Sequence, residues 1–344
     1  MRPMPNKRPK LPARPPLNRV ADSLQNRQAA TAATRTAIGS LNKSLKNVQA
    51  FKLGSSVIDD AIKKSNIKKE DVDEVIMGQV LTAGAGQNPA RQAAVNAGIP
   101  ISKPAHIVNQ VCGSGLRAVI SGYQSIKLGE SNNIISGGQE SMSLAPHSIF
   151  YRDEKKISED KLLDTMVNDG LIDAFNNYHM GVTAENVAKK FNITRQEQDE
   201  FALKSQKKTE LAIANNKFNE ELVKINHDGN ILDTDEHPRI GLKMSDLEKL
   251  KTVFQDNGTI TPGNSSGIND GAAALLLTSL EEAEKRSIKP LVKIVSWSSI
   301  GVDPSVMGLG PIEAVREASK KANWNLDEID LFEINEAFAS QSIA

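Results

Sequence analysis

Short apolar, β-favouring runs recur along the chain at 73–80, 106–111, 133–136, 272–278, 291–297 and 329–334, with helix-favouring stretches between them. This alternation predicts an α/β protein with buried sheets. Leu53 to Lys64 and Pro311 to Ala322 read as helices, the second opened by a proline at its first turn. Leu116, Val119, Ile120, Tyr123 and Ile126 fall on one face of a further helix, and Thr183 to Phe218 reads as a long, charged helical stretch without Gly or Pro.

A weak internal repeat underlies the pattern. Residues 69–78 and 325–335 both place an acidic turn between an amphipathic helix and an apolar run, and aligning Asp73 with Asp330 gives an offset of 257. Two short acidic turns also match by chance in α/β proteins. Residues 1–30 stand apart, with prolines at 3, 5, 9, 12, 15 and 16 and seven Lys or Arg against one Asp, a composition expected of a disordered or artefactual leader. Repeated proline opposes the amphipathic helix of a transit peptide, and the apolar stretch of a secretory signal is missing.

Composition narrows the function classes. Lys plus Arg and Asp plus Glu are equal at 42 each, so the whole-molecule field offers no general attraction to nucleic acid or an anionic membrane. An anionic ligand must therefore be held by a local site. One cysteine in 344 residues excludes an internal disulfide framework and fits a reducing, cytoplasmic compartment. No apolar run reaches the roughly 18 residues a membrane helix needs.

That lone cysteine carries the strongest chemical signal. In Asn109-Gln-Val-Cys-Gly-Ser-Gly-Leu116 an apolar strand runs into Cys112 and two glycines and then directly into a helix. Glycines leave room for a substrate to approach the sulfur, and a helix N-terminus is expected to lower the thiol pKa, which suits covalent catalysis. An isolated Cys-Gly-x-Gly fits a buried structural thiol as well.

The 109–116 segment resembles the nucleophile motif of the thiolase family. Six further segments are similar to thiolase motifs in the right order: 34–39, 86–92, 137–143, 179–186, 263–271 and 335–339. The resemblance covers about residues 31–344. It implies the α/β thiolase fold, two similar α/β halves in a layered α-β-α-β-α arrangement. Residues 31–286 would form the first half, with a loop domain at about 143–265, and 287–344 an incomplete second half.

By the same resemblance Cys112 is the acylated nucleophile. Asn335 holds a water that donates to a developing enolate or thioester oxygen, and His179 and Met180 line the acyl pocket. Ser266 meets the pantetheine arm of coenzyme A, Arg239 its nucleotide end, and Leu171 and Phe254 occupy coenzyme-contacting positions. The implied reaction joins two acetyl-CoA into acetoacetyl-CoA and CoA, reversibly. The coenzyme A thioester is a substrate, and no permanently bound cofactor or metal is implied; a homo-oligomer, dimer or tetramer, is. Alternatives are a degradative 3-ketoacyl-CoA thiolase and a non-catalytic fragment. A condensing enzyme that uses a carrier protein is disfavoured by 179–186 and Ser266.

Two family motifs, a C-terminal Gly-His-Pro and a Cys-x-Gly-Gly-Gly, are not found in these 344 residues. The repeat offset carries Cys112 to position 369, where the lost base is expected, so the sequence reads as C-terminally truncated and inactive as written. Ala29 to Thr34 stands where the family has a Val/Ile-rich first strand, so the N-terminal boundary departs from the family pattern as well.

Overall fold

The structure, a computed structural model, describes residues 28–152 and 158–344. Its centre is an eight-stranded mixed sheet. In chain order the strands are β1 (Gln28–Thr36), β2 (Gly39–Ser40), β3 (Glu74–Gly78), β4 (Ala105–Val108), β5 (Asn133–Ser141), β6 (Leu222–Val223), β7 (Asn269–Ser279) and β8 (Val292–Ile294). Side by side the order is β6-β1-β7-β5-β3-β4, with β8 on β1 and β2 on β7. The pairs β3–β4, β3–β5 and β1–β6 are parallel; β7 is antiparallel to β1, β2 and β5, and β8 to β1.

Helices cover both faces, which is why the strands are apolar at successive positions. On one face α1 (Ala50–Ser65) and α2 (Pro89–Asn96) bury Leu53, Val57, Ile58, Ala61, Ala90 and Ala93 against Val75, Met77, Ile135 and Leu276. On the other, Ala118 and Ile126 of α3 (Ser114–Leu128) meet Ile76, Ile134 and Leu277. Alternate residues of β3, β5 and β7 thus feed two cores. The remaining helices are α4 (Thr165–Gly170), α5 (Met180–Phe191), α6 (Arg195–Ala214), α7 (Met244–Glu248), α8 (Leu280–Lys285), α9 (Gly310–Ala322) and α10 (Ala339–Ile343).

The repeat survives in three dimensions. Helix α1 ends in a left-handed Asn66 and α9 in a left-handed Asn323, 257 positions on. A 3-10 turn follows each, Lys69–Asp71 and Leu326–Glu328, at the same offset. A left-handed asparagine stops a helix at low cost because its short polar side chain tolerates φ > 0.

Several expectations are corrected. The leader lies outside the described residues except for its last three, and Gln28–Ala30 already belong to β1. The alanine-rich stretch in β1 is an interior strand, paired with β7 from Gln28 to Arg35 across a bulge at Ala30 to Ala32. Tertiary cover on both faces outweighs alanine's weak strand preference. Residues 291–297 supply only the three-residue β8. Residues 329–334 form no strand, because no partner runs alongside them among the described residues, and Leu331, Phe332 and Ile334 stay exposed. Leu116 is 71% exposed, since two helical steps set it about 200° from Ala118 on the packed face. The 183–218 stretch divides: α5 stops at left-handed Asn192, and Thr194 caps α6 in a reciprocal box with Glu197.

Gly78 couples this scaffold to the segment that carries Cys112. A Cβ there would lie 2.4 Å from the Ser114 carbonyl carbon and 2.5 Å from the Gly115 nitrogen, both backbone atoms of α3. Gly78→Ala is expected to destabilise the protein by about 1–3 kcal/mol and to shift the start of α3. Chemical denaturation measures the first effect, and a slower alkylation of Cys112 in the folded variant reports the second.

Candidate active site

Cys112 sits where β4 hands over to α3. Val111 just before it has φ +48°, a left-handed conformation that is a true outlier for a β-branched residue. The turn is held from several sides. The Asn109 carboxamide oxygen accepts from the Val111 N–H at 2.9 Å; the Ser114 hydroxyl accepts from Gln110 N–H at 2.9 Å and donates to the Val111 carbonyl at 2.5 Å. Cys112 lies beyond the carboxyl ends of the parallel strands β3, β4 and β5, the edge where open α/β sheets gather ligands.

The thiol's electrostatics differ from the expectation of a helix-lowered pKa. Cys112 exposes residue surface, yet protein atoms crowd the sulfur, and this burial, more than any charge, pushes its pKa above the ordinary thiol range. A backbone hydrogen bond opposes the shift, while the Glu140 carboxylate adds to it. Glu140 is itself raised, first by burial, then by Asp270, although the Val80 and Leu81 amides that donate to it at 2.9 and 3.1 Å pull the other way.

Ser266 and Asn335 are brought together. The Ser266 N–H donates to the Ala337 carbonyl and the Ala339 N–H to the Asn264 carbonyl, each at 2.9 Å, and Ser265 and Phe338 form a β-bridge between them. Both residues line a cavity of about 290 Å³ together with Ser205, Gln206, His237 and Glu336. Cys112 is not among its lining residues. Asn335 is exposed in unpaired backbone directly after the 329–334 run, which forms no strand.

His179, Met180, Leu171 and Phe254 form a second group. The two-residue strands Ile172–Asp173 and Tyr178–His179 pair, and Met180 N–H donates to the Leu171 carbonyl at 2.8 Å. The His179 ring stacks on Phe254 with centroids 4.5 Å apart, and Phe254 meets Phe338 edge-on at 6.4 Å. Met180 packs on the same cluster. His179 Nδ1 accepts from Gly181 N–H at 3.0 Å, which puts the proton of the neutral ring on Nε2, and burial lowers its pKa so that it stays neutral. Arg239 is exposed, its N–H donating to Gln206, a lining residue of the cavity.

Other motif residues, given no role from the sequence, prove to be locks. Glu185 takes four hydrogen bonds from Thr259 and Ile260, fixing the approach to 263–266. Asp270 accepts from both the N–H and the hydroxyl of Ser143, and Asp235 forms a two-pronged pair with Arg35. Glu185, Asp270 and Arg35 lie visibly inside motifs; their partners, 74, 127 and 200 residues away, were not visible there. No group of three or more His, Cys, Asp and Glu side chains is gathered as for a metal ion among the described residues.

Residues 29–281 match the family model described as Thiolase, N-terminal domain, and residues 288–344 the one described as Thiolase, C-terminal domain. The chain belongs to the thiolase family. It is 51% identical over 316 residues to a protein named acetyl-CoA acetyltransferase from Rhizobium meliloti (strain 1021), covering 91% of this chain and 80% of that one. A protein from Rattus norvegicus named acetyl-CoA acetyltransferase, cytosolic, is 49% identical over 318 residues, with the same coverage of 91% and 80%. The thiolase fold is matched in space by the crystal structure of the Bacillus anthracis acetyl-CoA acetyltransferase, with a TM-score of 0.89 and 37% identity over 92% of this chain and 82% of that one. The expectation of a truncated second half draws no support from these matches, because the C-terminal model is matched as far as residue 344.

With burial and Glu140 both opposing ionisation, alkylation of Cys112 by iodoacetamide should be slow at pH 7 and keep rising beyond pH 9, the raised pKa leaving little thiolate at neutrality. Glu140→Gln removes one negative charge and should speed alkylation near neutral pH. Peptide mass spectrometry across a pH series measures both; a rate that levels off below pH 8 would contradict the raised pKa.

Proposed function

We propose that this thiolase acts as an acetyl-CoA acetyltransferase with Cys112 as the acylated residue. The observation that carries the reading is the strained Val111-Cys112 turn at the carboxyl ends of the parallel strands, which presents a thiol on a surface a substrate can reach. The names of relatives near 50% identity support the substrate class. The Cys112 sulfur attacks the thioester carbonyl of one acetyl-CoA, the bond from that carbon to the coenzyme sulfur breaks, and the thiol proton ends on the departing CoA. The α-carbon of a second acetyl-CoA then attacks the acyl carbonyl. A carbon–carbon bond forms, the Cys112–acyl bond breaks, and the α-proton ends on the restored thiol. Thiolysis is the reverse.

Within this reading the cavity bearing Ser266 takes the pantetheine arm and Arg239 the nucleotide phosphates, while the His179, Met180, Phe254 and Leu171 group borders the acyl end. Asn335 serves as the amide that holds a water against the developing oxyanion. The earlier expectation of inactivity draws no support from the relatives and is not retained. The 31–286 and 287–344 halves and the 143–265 loop domain remain the proposed division of the chain. A cytoplasmic location rests on the single cysteine and on the cytosolic names of the rat and mouse relatives; among the described residues no helix is long and apolar enough to cross a membrane. A homo-oligomer, implied by the family resemblance, belongs to the same proposal, and sedimentation would measure it.

Incubation with labelled acetyl-CoA should leave an acetyl group on the peptide containing Cys112, and Cys112→Ser should abolish it. Label on another residue would remove Cys112 from the reaction. Arg239→Ala should weaken CoA binding about 3- to 10-fold, and less at high salt because the guanidinium is exposed. Titration calorimetry at two ionic strengths checks this, and an unchanged affinity excludes Arg239 from the site.

A further inference from the structure

The cavity beside Ser266 contains a side chain that neither the sequence reading nor the proposed chemistry uses. His237 lines its wall with Ser266, Asn335, Glu336 and Ser205. Its ring packs directly on the segment that follows Ser266, for a Cβ at Gly267 would fall 2.2 Å from His237 Cε1 and 2.6 Å from Nδ1. Only a glycine at 267 permits this contact.

The backbone that carries His237 is clamped in place. Asp235 accepts from the Arg35 guanidinium at 2.7 and 3.0 Å and from Ile38 N–H at 2.8 Å. The Glu236 N–H donates to the Ile38 carbonyl at 2.9 Å, and its carboxylate accepts from Ser40 N–H at 3.0 Å and from the Ser44 hydroxyl at 2.5 Å. Among the described residues, by contrast, nothing hydrogen-bonds the ring nitrogens of His237. A half-buried imidazole held by its neighbours, with one donor and one acceptor unspent, faces a cavity of ligand size.

We infer that His237 is a substrate-contacting residue whose imidazole hydrogen-bonds an amide of the pantetheine arm of a coenzyme A thioester, between Ser266 and Arg239. The inference rests on the proposed function and deepens it. A neutral imidazole and a secondary amide are complementary, each offering one donor and one acceptor. Burial, and then the charge of Arg239 two residues on, both disfavour the protonated ring, so His237 remains neutral at physiological pH although Asp235, Glu236 and Glu336 lie near. A phosphate partner would call for a cation instead, which is Arg239's part.

The test is direct binding by calorimetry of three probes, CoA, pantetheine and adenosine 3′,5′-bisphosphate, to the wild-type chain, His237→Phe and His237→Gln. Phe keeps the flat ring against Gly267 but has no polar atom; Gln can still donate and accept. His237→Phe should bind CoA and pantetheine about tenfold more weakly and adenosine 3′,5′-bisphosphate unchanged, while His237→Gln stays within about threefold of wild type for all three, as expected for one hydrogen bond. Should the Phe variant not fold, His237→Ala and His237→Gln make the same comparison. Wild-type affinity of His237→Phe for CoA, or a loss confined to adenosine 3′,5′-bisphosphate, overturns this inference alone. A wild-type chain that binds neither CoA nor pantetheine overturns the proposed function and this inference with it.

Discussion

The structure depends on the antiparallel pairing of β5 with β7. Their register runs from Asn133 opposite Thr278 to Ser141 opposite Asp270, without a break, and between Ser141 and Asn269 the chain touches this sheet only at β6 before it returns along β7. Closing so long an excursion is costly in chain entropy, and the cost falls on this one ladder and the locks near it. Gly137 shows how tight the fit is, since a Cβ there would lie 2.0 Å from the Ala273 carbonyl oxygen. With the ladder closed, the end of β5, the start of β7 and the β4–α3 turn share one edge of the sheet.

At that edge, most charged groups in the motifs are structural. Glu185 and Asp270, and Asp235 outside the motifs, are each spent on backbone amides or on one specific partner, which fixes loops distant in sequence around Ser266, His237 and Arg239. Asp199, almost wholly buried, does the same between Arg195 of α6 and the Asn264 carboxamide. Such groups tolerate burial because every one has donors aimed at it.

Much of this was legible from the chain alone. Apolar runs covered on two faces gave the sheet strands, the glycines around Cys112 announced the sharp turn, and the repeat offset seen in the sequence recurs in the helix ends at Asn66 and Asn323. What failed did so for physical reasons. Alanine-rich β1 has weak local preference and is a strand only because α1, β7 and β8 surround it. The break at Asn192 to Thr194 was written in capping residues but hidden inside a long helix-favouring stretch. The run at 329–334 has strand composition without a partner. At the candidate site, the family resemblance singled out Cys112, Ser266 and His179, whereas His237 did not stand out, because its contact comes from Gly267, thirty residues later. The sign of the Cys112 shift was misjudged since burial and Glu140 act through space, against the helix end that sequence shows.

The left-handed Val111 has a further meaning. A β-branched residue in that conformation costs on the order of 1–3 kcal/mol and persists only where its surroundings overdetermine it. Asn109 and Ser114 do so with hydrogen bonds from within the turn itself. The sulfur is therefore aimed before any substrate arrives, and the ordering entropy that a flexible nucleophile would surrender on binding has already been met during folding. Under the proposed function, affinity and rate at such a centre would be insensitive to loop motion there, and adaptation to a longer or bulkier acyl chain would have to come from the aromatic wall of Phe254 and Phe338 rather than from the turn that carries the thiol.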